Sequence, residues 1–227
     1  MRKLLFLTIS ILLSVHSQAQ QDPEYLMEVG VGGGMMNYLG DFNGSVAKGH
    51  QPSASFVVRR LFNPYMALRA GVTYGKLKGD SKNVTTYYPG LNQTPYSFDH
   101  SLIDVGVVYE YNFWPYGTGR DYRGAKRLTP YVFGGFGTTY AKLPEESVFT
   151  ANIPLGVGIK YKMSERVNLG VEWRVHFSLS DKLDGRKDPY DIVSSGAFKN
   201  TDGYSGLQVT ITYSFMTKCK TCHNDND

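Results

Sequence analysis

"VNLGVEWRVHFSLS" (residues 167–180) alternates apolar with polar or small side chains from end to end. Val167, Leu169, Val171, Trp173, Val175, Phe177 and Leu179 fall on one face. Asn168, Gly170, Glu172, Arg174, His176, Ser178 and Ser180 fall on the other. Successive residues of a strand point to opposite sides, so the stretch is a strand with one greasy face and one charged face. Segments of about ten residues in this pattern mark the strands of an outer-membrane barrel, which present apolar side chains to lipid and polar ones to the lumen.

The same period recurs along the chain. Tyr25, Met27, Val29 and Val31 alternate with Leu26, Glu28, Gly30 and Gly32, and Leu68, Ala70, Val72 and Tyr74 oppose Arg69, Gly71, Thr73 and Gly75. Ile103, Val105, Val107, Tyr109 and Tyr111 oppose Asp104, Gly106, Glu110 and Asn112, with Val108 as the exception. Ile153 to Tyr161 alternate with Gly156, Gly158, Lys160 and Lys162, and Leu207 to Phe215 alternate with Gln208, Thr210, Thr212 and Ser214. Two noisier segments, Ser53–Arg60 and Thr129–Ala141, bring the expectation to an all-β fold: an eight-stranded antiparallel up-and-down transmembrane β-barrel. Arg59, Arg69, Asp104, Glu110, Lys160, Glu172 and Arg174 all fall on the polar face. Both signs together can pair in a lumen that side chains just fill, so the lumen is expected to be plugged. A soluble sandwich or lipocalin-like barrel shares the period. Paired charges, tyrosines near strand ends and a last strand ending in Phe215 point to the membrane instead.

The N-terminus reads as a secretory signal, residues 1–19. Arg2 and Lys3 precede the apolar run Leu4–Val15, and Ser17 and Ala19 supply the small residues of a cleavage site. The barrel then occupies 20–215 and a short tail 216–227. Formal charge is +4, and removing Arg2 and Lys3 leaves +2, too little to suggest nucleic acid as a partner.

Long connectors (Leu39–Gln51, Lys76–Ser97, Leu183–Gly203) alternate with tight ones (Phe62–Tyr65, Lys162–Arg166). Tight turns of such barrels face the periplasm, which puts both termini there. One connector breaks the pattern: "NFWPYGTGRDYRGAKRLT" (Asn112–Thr129) is long yet falls on the periplasmic side. Its Trp114, Arg120, Arg123, Lys126 and Arg127, with the tail cysteines, make the candidate partner-binding surface. Long connectors are functional or disordered more often than decorative.

The only two cysteines, Cys219 and Cys222, sit in "CKTCH", the spacing of a c-type haem attachment. A haem needs an apolar pocket and a second axial ligand, and a structural zinc needs four ligands from an ordered scaffold; the tail offers neither. In an oxidising compartment the pair would close on itself or bridge to a partner. Neither cofactor nor metal is expected.

His176 and Ser178 carry the spacing of lipid A deacylases, which are also eight-stranded barrels, but period two turns both inward. His50 and His100 read as loop residues. "GVGGGM" (Gly30–Met35) lacks the rest of a phosphate loop and reads as small residues on the lumen face. The sequence is therefore read as non-enzymatic.

"NYLGDF" (Asn37–Phe42), "NPYMALRAGVTYGKLKGDS" (Asn63–Ser81) and "TPYVFGGFG" (Thr129–Gly137) together resemble the PorG family of outer-membrane barrels, a component of the type IX secretion system. The resemblance spans essentially the whole mature chain and transfers no catalytic residue. It implies a scaffold that meets periplasmic ring proteins like PorK and PorN and supports export of folded cargo through a separate translocon. Membrane lipids would be the other contacts. The alternatives are a lipid-modifying barrel, lipid A deacylase-like, that uses His176 and Ser178, and a structural or adhesin barrel acting through Lys76–Ser97 and Leu183–Gly203.

Overall fold

The computed structural model describes residues 23–39, 49–80, 97–119, 124–143, 147–179 and 203–217. Eight strands follow one another: β1 (Tyr25–Leu39), β2 (Gln51–Leu61), β3 (Met66–Asp80), β4 (Ser97–Asn112), β5 (Leu128–Lys142), β6 (Ser147–Lys162), β7 (Val167–Ser178) and β8 (Gly203–Thr217). Each pairs antiparallel with its sequence neighbour, and β8 closes on β1 through Met27↔Phe215 to Leu39↔Gly203. The result is a closed barrel with no open edge.

Alternation sorts the side chains as the sequence implies. Val72, Val105, Val107, Ile159, Trp173, Val209 and Ile211 are exposed on the outside. Glu28, Arg59, Arg69, Asp104, Glu110, Lys160 and Glu172 are buried inside. Tyr109, Tyr111, Tyr161 and Tyr213 ring the outer belt at one end; Tyr74, Tyr140, Phe149 and Phe177 ring it at the other. No described helix is long and apolar enough to cross a membrane, a test that does not concern barrels.

The tight connectors share one end, here the turn end, with Tyr25 and Thr217. In Phe62–Tyr65 the Asn63 carboxamide oxygen accepts from the amides of Tyr65 and Met66, both at 2.8 Å, which folds the chain over Pro64. In Lys162–Arg166 the Ser164 hydroxyl accepts from the Val167 amide at 3.1 Å.

The opposite, loop end differs from the sequence expectation in its strand ends. β3 continues to Asp80, so the first five residues of the connector read as Lys76–Ser97 are strand, and β4 begins at Ser97, ahead of the alternation read from Ile103. His100 is consequently a buried residue of β4 and not a loop residue. The β5–β6 connection is short, leaving only 143–146 between Lys142 and Ser147. At the turn end, Tyr25 is buried instead of facing outward, with the Lys162 ammonium 5.3 Å from its ring centroid. β8 runs on to Thr217, two residues past the expected boundary.

Candidate functional site

The lumen is built in two layers. In the turn half, charges from β1, β2, β4, β3 and β7 form a chain of alternating sign: Glu28, Arg59, Glu110, Arg69, Glu172, Arg174. Glu28 pairs with Arg59, whose Nε lies 2.8 Å from Glu110 Oε2. Arg69 joins Glu110 at 2.9 Å to Glu172 at 2.6 Å, and Arg174 closes on Glu172. Lys160, from β6, adds a third cation to Glu110. Spare acceptor capacity is taken up by neighbours: the Tyr131 hydroxyl donates to Glu172 at 2.7 Å and the Thr212 hydroxyl to Glu28 at 3.2 Å. An unpaired buried charge costs several kcal/mol, so sign alternation is what makes this layer tolerable.

Two lumen aromatics escaped the sequence reading. Tyr131 and Phe133 face inward from β5, stacked at 5.8 Å, with Lys160 over the first ring at 4.2 Å and Arg69 over the second at 4.8 Å. Their register partners are Gly158 and Gly156. A Cβ on Gly158 would lie 2.7 Å from the Tyr131 ring, so the glycine makes the floor on which the ring lies. Val108, which broke the alternation on β4, completes this cluster.

In the loop half, Met36, Tyr38, Leu77, Phe98, Leu102, Ala141 and Tyr204 form a buried apolar cluster inside the barrel. Tyr38 meets Phe98 edge-on at 5.1 Å. Asp104 sits below it, accepting from the Tyr204 hydroxyl at 2.7 Å and the Asn152 amide at 2.6 Å. His176 stacks on Tyr204 at 4.3 Å, with Nδ1 3.6 Å from Asp104 Oδ2. Asp104, from β4, is the carboxylate placed beside His176. Ser178 donates to the Thr150 hydroxyl at 3.4 Å. His176, Ser178 and Asp104 are all buried in the lumen. Between the layers lies a cavity of about 30 Å³ lined by Arg69, Thr73, Asp104, Arg174 and His176. That is room enough to hold water.

The described limbs of the long turn-end connector, residues 113–119 and 124–127, form a built cap. Tyr116 enters the mouth: its amide donates to the Pro64 carbonyl at 3.0 Å and its hydroxyl to Asn168 Oδ1 at 2.9 Å. Burial pushes this phenol well above its usual range, which keeps it a donor. The Tyr116↔Lys126 bridge pairs the outgoing and returning limbs. Glu24 clasps the first limb, accepting from the Thr118 amide at 3.1 Å and hydroxyl at 2.6 Å. Arg127 Nε donates to the Thr118 carbonyl at 2.9 Å.

Of the sequence-predicted partner residues, the cap brings Trp114, Lys126 and Arg127 together at the exposed surface, with the Lys126 ammonium 4.7 Å over the Trp114 ring. Arg120, Arg123, Cys219 and Cys222 lie outside the described residues, as does the 1–19 segment. Among the described residues no group of three or more His, Cys, Asp or Glu is placed to hold a metal ion.

A family model described as "Domain of unknown function (DUF6089)" matches residues 2–224. The chain belongs to the DUF6089 family. Among curated proteins none matches it. The DUF6089 barrel is similar to the solved structure of Neisserial surface protein A, with 16% identity and a TM-score of 0.50 over 83% of this chain and 97% of that one. OprG, an outer membrane protein of Pseudomonas aeruginosa, matches at 10% identity and TM-score 0.48, covering 87% and 99%. Ail, the attachment invasion locus protein of Yersinia pestis, matches at 10% and 0.47, covering 85% and 99%. At these identities the likeness shows the fold: a closed, all-β, eight-stranded antiparallel barrel of the outer-membrane type.

Proposed function

We propose that this barrel is a non-enzymatic outer-membrane scaffold that conducts nothing through its lumen and works at its turn end, in the periplasm. The observation that carries the reading is the cap. A connector that could have been a slack loop is clasped by Glu24, plugged into the mouth by Tyr116, and left with Trp114, Lys126 and Arg127 outward. An aromatic with a cation over it, on a fixed surface, is the composition of an interface anchor.

The finer reading follows the PorG resemblance. The barrel anchors periplasmic ring proteins of a type IX secretion machine, like PorK and PorN, with both termini periplasmic after removal of the signal peptide. Cys219 and Cys222 pair internally or with such a partner. The burial of His176 and Ser178 supports a structural role for them, since an esterase acting on lipid must show its dyad to lipid.

A detergent pull-down from outer membranes, run without reductant, tests this. Intact protein should bring down periplasmic ring proteins. Trp114→Ala with Lys126→Ala should lose most of them, and Cys219→Ser with Cys222→Ser should remove any reducible adduct. Capture that survives the cap variant and is lost when the loops at the other end are exchanged would replace the scaffold with the adhesin reading.

A further inference from the structure

The outer surface at the loop end carries a patch that an apolar belt does not explain. Across β3, β4, β5 and β6 the register aligns Lys76, Ser101, Lys142 and Ser147 in one row. Both lysines and Ser147 are exposed and Ser101 is half-buried. The next row toward the turn end reads Tyr74, Ile103, Tyr140 and Phe149, all exposed. Two hydrogen bonds tie the rows: the Tyr74 hydroxyl to Ser101 Oγ at 3.3 Å and the Tyr140 hydroxyl to Ser147 Oγ at 3.0 Å. Below follow Val72, Val105, Thr138 and Ala151. On the other side of the lysine row, Lys78 faces Asp99.

Among the described side chains, the patch sets Lys76, Lys78 and Lys142 against Asp99. Neighbouring strands run about 4.8 Å apart, so the backbones of Lys76 and Lys142 straddle Ser101 at roughly 10 Å. Ammonium groups on flexible stems can converge from there on one anion above the serine hydroxyl. Lysine binds phosphate as a point charge. The rings and aliphatic rows directly beneath give such an anion somewhere to place hydrocarbon. A soluble anion would use only the upper row; an amphiphile uses all three.

We propose that the Lys76–Ser101–Lys142–Ser147 row binds the phosphate-bearing headgroup of an outer-leaflet glycolipid, whose acyl chains lie along the Tyr74–Phe149 row and the belt below. The site rests on the membrane reading above, with the loop end outward. It belongs to the surface opposite the cap, so the molecule would be held by lipid at one end and by protein at the other.

The test uses full-length barrel in zwitterionic detergent and lipid A as the probe, with and without prior phosphatase treatment, followed by native mass spectrometry. Phosphorylated lipid A should bind at least roughly tenfold more tightly than the phosphatase product, as two lysines near a charged surface imply. Lys76→Ala with Lys142→Ala should abolish that preference, while Arg60→Ala with Arg166→Ala at the turn end should retain it. Lys76→Gln with Lys142→Gln serves if the alanine pair does not fold. Equal binding of both lipids, or a preference untouched by losing the lysines, overturns the site. Displacement by millimolar inorganic phosphate overturns the lipid assignment in favour of a free-anion site. Insertion into liposomes is scored alongside. A barrel that inserts but shows no phosphate preference sinks this proposal alone, and one that never inserts sinks the membrane reading with it.

Discussion

The two halves of the lumen are equally buried and built on opposite physics. The turn half is lined by charge: Glu28, Arg59, Glu110, Arg69, Glu172 and Arg174 in alternating sign, with Lys160 alongside. The loop half is lined by the apolar cluster of Met36, Tyr38, Leu77, Phe98, Leu102, Ala141 and Tyr204. An apolar cluster is a sum of many weak contacts, and truncating one member costs its own transfer energy and a cavity but leaves no charge unpaired. A charge chain is conditional. Each member is tolerable only because its neighbours are present, so the turn half should be the brittle one.

Glu110→Ala strikes that contrast hardest. It strips Arg59, Arg69 and Lys160 of the carboxylate they share. Breaking a buried pair costs about 3–5 kcal/mol, and here several cations are left facing one another. Urea unfolding of the detergent-solubilised barrel, followed by its shift on unheated gels, should show at least that loss. A cost below about 1 kcal/mol would mean water reaches the layer and that the two halves do not differ as argued.

The second expected effect tests the aromatic floor of the charged half. Gly158→Val places a branched side chain where the Tyr131 ring lies. The ring is held by Glu172 and Lys160, so it has little freedom to retreat. Overpacking of this kind costs about 1–3 kcal/mol, and the same unfolding assay should place the variant near the upper figure. Pairing it with Tyr131→Ala should recover part of the loss, because the obstruction is then gone. Additivity of the two changes would show that ring and glycine do not touch.

These residues also mark where the sequence stops being legible. Charges at Arg59, Arg69, Glu110, Lys160, Glu172 and Arg174 stood out because nothing but a lumen can take them in a strand whose other face is greasy. Tyr131 and Phe133 did not, since an aromatic on either face obeys the composition of a barrel; only the register with Gly158 and Gly156 assigns them inward. The loop half was harder still. Leu77, Phe98 and Leu102 point inward while Lys76, Lys78 and Asp99 point out, so the alternation inverts where the strands rise past the apolar belt. A reading tuned to greasy-outside strands sees a connector there. The cap shows the other limit: its basic composition was visible, but that Glu24 and Tyr116 fasten it follows from contacts across 94 and 52 residues of chain.

Tyr204→Phe probes the seam between the halves. The hydroxyl donates to Asp104, the carboxylate beneath the apolar cluster, and the ring belongs to that cluster. Removing the hydroxyl alone should cost about 1.5–3 kcal/mol, the worth of a hydrogen bond to a charged group. Asp104 keeps Asn152 as a donor at 2.6 Å, which favours the lower figure. Tyr204→Leu should add a packing loss on top, and a larger cost for the phenylalanine than for the leucine would reverse the assignment of the ring to the apolar side.

The smallest effect separates the lumen as a whole from the cap over it. Glu24→Ala removes acceptors for the Thr118 amide and hydroxyl at a half-buried position. A net hydrogen bond is worth about 1 kcal/mol, and the limb is also held by Tyr116 and Arg127, so global unfolding should shift by no more than that. The change should instead be local. Amide hydrogen exchange at Thr118 and Gly117 should speed up several-fold while strand amides keep their protection, because local opening needs only the contacts of its own segment. If the strands lose protection in step with the connector, the cap is part of the barrel's cooperative unit. It would then stabilise the turn half and not merely present Trp114 and Lys126. If exchange rises only in the connector and ring-protein capture falls with it, the clasp serves presentation, and the ordering of this connector is a functional feature laid over a barrel that closes without it.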